Sequence, residues 1–400
     1  MKMTNKYLVE AIVFLSYVLF AMAWVGGTAS MGQIMSAMEV NSMADASLLS
    51  GAVTIAKIVG TFIAAWLALK MGIKKAFFAS CLLVAVGVFT PLAQSYDVLL
   101  LSRFFMGLGG ALMIVYFNPI VMAFFDKEQR STINGLNAVA FNVGTAIILW
   151  SMTDINQVTG GWQSSLIVFS VLSMVLALAW LLVNYKENPT SSPTANEQVV
   201  EHGYSYRDGL KDRFNWAYAF CYSGLLAFYI CLFTFYPEAG ISASKWVIGF
   251  GILGTVAGML YSAKVKQRIG VIRYSGLIQT LTIVGLSFSS SPVLQTISAA
   301  VLGFFVFFPI TALVTIPHEM KGMTTQKITV VFSLFWSLSY LFATAVLWLF
   351  GWFVDHWQGD YSPAFWLITI VSSSFFLGSF LLPETNPKQT TSKEAICEDV

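Results

Sequence analysis

The feature that most limits this chain is a succession of apolar runs, each close to the ~20 residues needed to cross a hydrocarbon layer. Twelve spans are expected, at roughly 8–29, 46–69, 76–94, 98–125, 131–152, 163–184, 214–237, 245–264, 272–290, 294–317, 328–353 and 362–382. Only 10% of the 400 residues are charged, against roughly 25% in an ordinary soluble domain. No soluble core could hide that much apolar sequence, so the solvent for this chain is lipid. The expected fold class is an all-α membrane protein. Lys2 and Lys6 ahead of the first run imitate the flank of a signal peptide. That run is long enough to span and many more follow, so an uncleaved first helix is expected.

One polar stretch, from Tyr185 to Arg213, interrupts the pattern and contains NPTSSPTANEQ. Its Pro, Ser, Thr and Asn content cannot build a packed core. The chain therefore divides into an N-terminal six-helix bundle (1–184), a linker (185–213), a C-terminal six-helix bundle (214–383) and a disordered tail (384–400). With the N-terminus inside, 19 of the 22 Lys and Arg fall on cytoplasmic segments. Lys245 alone falls outside, and Lys57 and Arg103 lie within spans. The positive-inside rule then places both termini in the cytoplasm of a multi-pass protein of the cell inner membrane. A net charge of +2 gives no argument for nucleic acid.

A short signature occurs twice, 198 residues apart: AWLALKMGIKK from Ala65 to Lys75, and AKVKQRIGVIR from Ala263 to Arg273. Pro119 and Pro317 show the same offset. Such duplication in a spanning chain marks two homologous halves, the architecture of a transporter. These residues resemble the major facilitator superfamily, whose loop between helices 2 and 3 has a Gly, three residues, an Asp, a basic residue, one residue, a Gly and a basic cluster. Lys70, Gly72, Lys74 and Lys75 match in the first half, and Arg268, Gly270 and Arg273 in the second. Leu69 and Gln267 stand where the family's acidic residue belongs, and Ala65 and Ala263 replace its first Gly. In the family that acid helps to latch the cytoplasmic side, so its absence puts the latch in doubt and leaves the fold intact. Arg103, Gly107, Gly109 and Gly110 fit the family's helix 4 pattern, and Gly161-Trp162 is likewise typical. The resemblance runs from about Tyr7 to Pro383. It implies twelve transmembrane helices in two pseudo-symmetric six-helix bundles, the major facilitator fold, working by alternating access without a cofactor. A faint likeness to cyanate-permease-like small-solute carriers leaves the subfamily unresolved.

Lys57 is the sharpest candidate for substrate binding. It lies twelve residues before Leu69, which puts it ~18 Å from the cytoplasmic end, near the centre of a ~30 Å layer. An intramembrane lysine costs several kcal/mol unless it meets water or a counter-charge. Facing the central cavity it would bind an anionic group; paired with a carboxylate or helix terminus it would be structural. The corresponding position in the second half is Thr255, so such a charge would be asymmetric. Depth also nominates Tyr17, Trp24, Asn142, Tyr222, Tyr229, Trp336 and Tyr340 as lining, though packing is the commoner role for aromatics. Asn142 needs a partner in hydrocarbon. Arg103 is expected to be structural or gating.

Carboxylates are scarce. Glu10, near the start of the first span, is expected to be interfacial and solvated, and is also the acid best placed for pairing or protonation. Glu238, after Pro237, is the outer-end alternative for coupling, with a proton as the candidate ion. Met31, Met35, Met38 and Met43 could suggest Cu(I), but the four- and three-residue spacing of the first three fits one face of an amphipathic helix better. His202, His318 and His356 are scattered and no metal site is expected. Cys81, Cys221 and Cys231 fall in apolar runs and Cys397 in the tail, at spacings that suggest neither zinc nor a disulfide framework. With no Walker A motif, ATP-driven pumping has no support, and a carrier without enzymatic activity is expected. The expected function is a monomeric secondary or facilitative carrier of a small solute, an organic anion if Lys57 binds it. Alternatives are a drug or metabolite efflux antiporter, a copper uptake carrier, and a non-transporting sensor with the same fold. The fifth span, FNVGTAIILW, lacks the Gly-Pro motif of the family's drug antiporters.

Overall fold

The computed structural model describes residues 5–185, 204–265 and 267–385. The first half is built from α1 (Lys6–Ala29), α2 (Met31–Ala37), α3 (Met43–Ala85), α4 (Tyr96–Phe124), α5 (Lys127–Thr159) and α6 (Trp162–Leu181). The second half opens with the short α7 (Tyr206–Lys211), followed by α8 (Arg213–Phe235), α9 (Ser244–Lys264) and α10 (Ile269–Phe288). It ends with α11 (Pro292–Phe307), α12 (Ile310–Glu319), α13 (Thr325–His356), α14 (Ser362–Ser372) and α15 (Ser374–Gly378). Lys2, Lys186, His202, Lys266, Lys388, Lys393 and Cys397 lie outside the described residues, as do most of the expected linker and all but the first two residues of the expected tail.

Ten helical segments among the described residues are long and apolar enough to cross a membrane. One of them, Met43–Phe89, holds two spans, because α3 turns sharply at Gly72. There φ is 79°, in the left-handed region where a side chain is strained and glycine is not. The shorter apolar segment Ser362–Gly378 completes the twelve spans. The duplicate motif does not repeat this bend: Gly270 sits in the first turn of α10 with ordinary helical backbone. The same signature thus makes a tight turn in one half and a helix start in the other.

We call the side bearing Lys6, the Gly72 turn and α7 the linker face, and the opposite side, with α2 and the α13–α14 turn, the far face. In α1 and α8, 72% and 83% of the spanning window is buried, against 28% for α9. That difference places α1 and α8 at the centre of the bundle and gives most of α9 to lipid. Small residues let helices approach without side chains between them. A Cβ at Gly107 would press on the Val53 backbone of α3, and one at Gly351 of α13 on the Met43 carbonyl.

At the far face the two halves are joined by polar contacts. The Asp355 carboxylate, at the end of α13, accepts the backbone N–H groups of Met43 at 2.7 Å and Ala44 at 2.8 Å. It therefore occupies the N-terminus of α3, where orphan N–H groups and the helix dipole both favour negative charge. Glu238 lies beside Gly32 at the start of α2, and burial pushes its carboxyl above the ordinary range. Burial first, and then the charges of Glu238 and Asp355, push the Tyr361 phenol up to about 12. The seam continues inward through Ser50···Thr234 (3.1 Å) and Thr54···Thr344 (2.6 Å).

A hydrogen bond to a charged group contributes roughly 1.5–3 kcal/mol, and less at an exposed carboxylate such as Asp355. Losing ~1.4 kcal/mol of closure multiplies the open population about tenfold. Asp355→Ala is therefore expected to raise maleimide labelling of a Ser50→Cys reporter from the far face by about that factor. Unchanged labelling would show that these contacts do not hold the seam.

Candidate functional site

Between the halves lies a cavity of about 450 Å³. All eight residues nominated for it by depth line its wall: Tyr17 and Trp24 from α1, Lys57 from α3, Asn142 from α5, Tyr222 and Tyr229 from α8, and Trp336 and Tyr340 from α13. The lining also includes Asn118 and Asn134, which lie near the α4–α5 turn, and Thr311 and Val314 of α12. The cavity thus extends from mid-depth toward the linker face. On the opposite side it is capped by Trp24, whose ring meets Phe233 edge-on at 5.5 Å. The Trp24 Nε1–H donates to Ser50 Oγ at 3.3 Å.

Lys57 is 4% exposed and is surrounded by aromatic rings. Its Nζ lies 5.2 Å from the Phe20 ring centroid, 5.4 Å from Tyr340, 5.5 Å from Trp24, 5.8 Å from Tyr17 and 5.9 Å from Phe141. Its hydrogen-bond partner is Tyr17 Oη at 3.4 Å, a long contact. Among the described residues no Asp or Glu belongs to the lining, and the ion pairs found there are Lys6–Asp126 and Arg268–Glu319. The alternative in which Lys57 pairs with a carboxylate therefore has no partner in this cavity. What the site presents is a buried amino group with aromatic walls, facing the cavity.

Amides supply the polar part of the wall. Asn142 accepts a 2.8 Å hydrogen bond from Tyr229 Oη across the two halves, the partner its burial requires. Asn134 donates to Asn118 at 3.1 Å. Asn137 lines the cavity with both of its amide atoms unpartnered. The apolar part comes largely from Phe117, Phe141, Leu225, Ile230 and Phe307.

Glu10 departs from the expected solvated carboxylate. It is 4% exposed, faces the Asn137 side chain, and neither carboxyl oxygen completes a hydrogen bond. It does not line the cavity; the Asn137 amide stands between. Its position close to the membrane boundary suggested solvent access, but α1 is the most enclosed helix of the first half.

Arg103 lies outside the cavity lining. Fully buried in α4, it donates from Nε to the Leu49 carbonyl of α3 at 2.5 Å and from Nη2 to the Trp24 carbonyl of α1 at 2.9 Å. A Cβ at Gly27 would run into this guanidinium, so glycine is required there. The loop motifs are not part of the cavity either. Lys70 lies over the Trp66 ring and Lys74 donates to the Leu181 carbonyl, while Lys75 is exposed. Arg268 forms a paired contact to Glu319, at 3.1 and 2.7 Å, and its backbone N–H donates to Glu384 at 3.0 Å. Arg273 lies over the Phe380 ring. Each of these contacts stays within its own half. Met31 is fully buried and Met35 and Met38 pack against the core, as a helix docked on the bundle requires.

The Major Facilitator Superfamily description matches residues 13–344. Solved structures with the same fold include a D-xylose–proton symporter, 14% identical with TM-score 0.72, covering 95% of this chain and 98% of that one. A bacterial homolog of the human lysosomal transporter Spinster, 15% identical with TM-score 0.73, covers 96% and 99%. The chain belongs to the major facilitator superfamily and is a multi-pass membrane transporter of small solutes. Among curated relatives it is 30% identical over 229 residues to "Uncharacterized protein Cj0987c" of Campylobacter jejuni, covering 57% of this chain and 69% of that protein. It is 28% identical over 138 residues to "Probable nitrate transporter NarT" of Staphylococcus epidermidis, covering 34% and 35%. Apart from the Campylobacter protein, these matches span half or less of the relatives' own length.

Removing a buried, hydrogen-bonded charge leaves its partners unsatisfied, at about 3–5 kcal/mol. Arg103→Ala should therefore lower the melting temperature and folded yield sharply while surviving protein keeps its ligand affinity. An Arg103→Ala protein of normal stability with lost affinity would instead make this arginine part of the binding site.

Proposed function

We propose that the chain carries a small anion across the cell inner membrane by alternating access, with Lys57 as the group that binds the anion. The observation that carries this reading is the buried Lys57 amino group in a cavity between the halves whose lining, among the described residues, has no carboxylate. A charge-assisted contact in a water-poor site is strong, and an anion is the ligand that removes the cost of the unpaired cation. The wall suits a compact, largely apolar organic anion, with amides and phenols to orient it. The partial likeness to NarT supports an anionic cargo and makes nitrate a natural probe beside organic acids.

With the linker face in the cytoplasm, as the positive-inside rule has it, the cavity reaches toward the cell interior and the far-face seam closes the outside. Rocking of the two six-helix halves would open that seam and close the linker side, exposing the same site alternately. The chain acts in this reading as a monomer, with no cofactor and no enzymatic step. Tyr17, Trp24, Asn142, Tyr222, Tyr229, Trp336 and Tyr340 shape the site around the lysine, and Asn118, Asn134 and Asn137 extend it.

The test is thermal stabilisation of purified protein by nitrate, lactate and benzoate, with neutral sugars and cationic drugs as controls. Wild type should be stabilised by at least one anion. Lys57→Ala should bind it at least tenfold more weakly, the size of one lost charge-assisted contact. Lys57→Arg should keep part of the affinity. Equal stabilisation of wild type and Lys57→Ala would overturn the reading and return the lysine to a packing role.

A further inference from the structure

Lys57 also has a bearing on what travels with the anion. We propose that Lys57 carries the coupling proton: each anion enters the cavity with one proton held on Nζ, and the pair leaves together on the other side. In the step, the neutral amine takes a proton as the anion arrives, forming an ammonium–anion pair, and releases both when the cavity opens again. No covalent bond of the cargo is made or broken. The inference rests on the anion-binding reading above.

The groups facing Lys57 carry the argument. From α1 it meets Tyr17, Phe20 and Trp24, from α5 Phe141, and from α13 Tyr340. Among the described residues the cavity lining holds no Asp, Glu, His or Arg and no second Lys; its other titratable groups are the phenols of Tyr17, Tyr222, Tyr229 and Tyr340. Glu10 lies behind Asn137, and Arg103 is committed to two carbonyls. An ammonium has three donors to place, and here one reaches a phenol, at 3.4 Å. The rings favour a cation by about 0.5–2 kcal/mol per good contact. They do not cancel its charge, and an unpaired buried ion costs several kcal/mol. An anion beside Nζ cancels it. A proton on Nζ and an anion in the cavity therefore stabilise one another, and by linkage each raises the affinity for the other by the same factor.

The same balance can enforce coupling. The halves must pass through a closed state in which the cavity is cut off from water on both sides. The empty site with a neutral amine carries no charge into that state, and neither does the ammonium paired with a monoanion. The ammonium alone and the anion alone each carry one, at a cost of several kcal/mol. Proton and anion thus cross together, and neither leaks without the other.

The measurement is proton uptake on ligand binding. Nitrate, lactate or benzoate, whichever binds in a Lys57-dependent manner, is titrated into weakly buffered protein with a pH indicator from pH ~6 to ~9.5. Isothermal titration in two buffers of different protonation enthalpy runs in parallel. Wild type should take up a proton with the anion, rising toward one per site as the pH increases, and its affinity should fall tenfold per pH unit on that alkaline side. Lys57→Arg, whose guanidinium keeps its charge, should bind with no uptake and a flat pH profile. Lys57-dependent binding without proton uptake across this range would overturn the proton assignment and leave the anion site standing. Uptake that persists in Lys57→Arg would move the proton to another group. If none of the three anions binds in a Lys57-dependent way, the anion reading fails and this inference fails with it.

Discussion

The interaction around which the rest is arranged is the burial of one lysine without a counter-ion. Lys57 stands 14 residues from the start of α3 and 15 from the Gly72 turn, halfway through its span. A charge at that depth is tolerated when something nearby replaces water. In this protein a ring of aromatics from α1, α5 and α13 replaces that water in part and leaves the charge itself to be cancelled by a ligand. Because those helices belong to both halves, the cage exists while the halves are packed as they are here. Rocking one half away from the other would dismantle part of it. The environment of the cation and the conformational state are thus tied to one another.

Arg103 shows the contrast. It is as deeply buried, but its guanidinium is spent on two backbone carbonyls within the first half. Those bonds tie α4 to α1 and α3 and need not change when the halves move. A planar fork with fixed donors suits such a static brace, whereas a single flexible ammonium suits a group whose partner comes and goes. The two cations inside the spans therefore divide the work, one holding a half together and the other facing the gap between halves.

Much of this was legible in the chain. Apolar run length set the spans, and depth alone collected eight residues that line the cavity. The rotation of each helix about its own axis was not legible. A span that is apolar all round has no polar face to orient it, so Phe20 and Phe141 looked like any other phenylalanine until the structure turned them toward Lys57. Asn118, Asn134 and Asn137 sit toward the linker face, where amides are ordinary, and gave no signal of facing inward. The burial of Glu10 escapes the sequence for a related reason: distance from the membrane boundary is visible there, but enclosure by neighbouring helices is not. The reach of Asp355 to α3 spans more than 300 residues of chain, and no local pattern announces it.

The far-face contacts bear on the degraded loop motifs. The acid that the family places in the cytoplasmic loops is Leu69 in one half and Gln267 in the other, and the basic residues of both motifs bind within their own halves. Nothing in those motifs crosses the seam among the described residues. On the opposite face, Asp355 of the second half accepts two N–H groups from α3 of the first, and the Glu238 carboxylate lies beside Gly32 of α2. Glu384 caps the start of α10 within the second half, whereas the Asp355 contact joins the two halves and holds the far side shut. A carrier biased in this way rests with its cavity toward the linker face. Opening the other way must break those contacts, and a bound ligand can favour the opening only through interactions that it makes better in the other state. Lys57 is placed for that part, since it faces the gap between the halves and a ligand paired with it touches both.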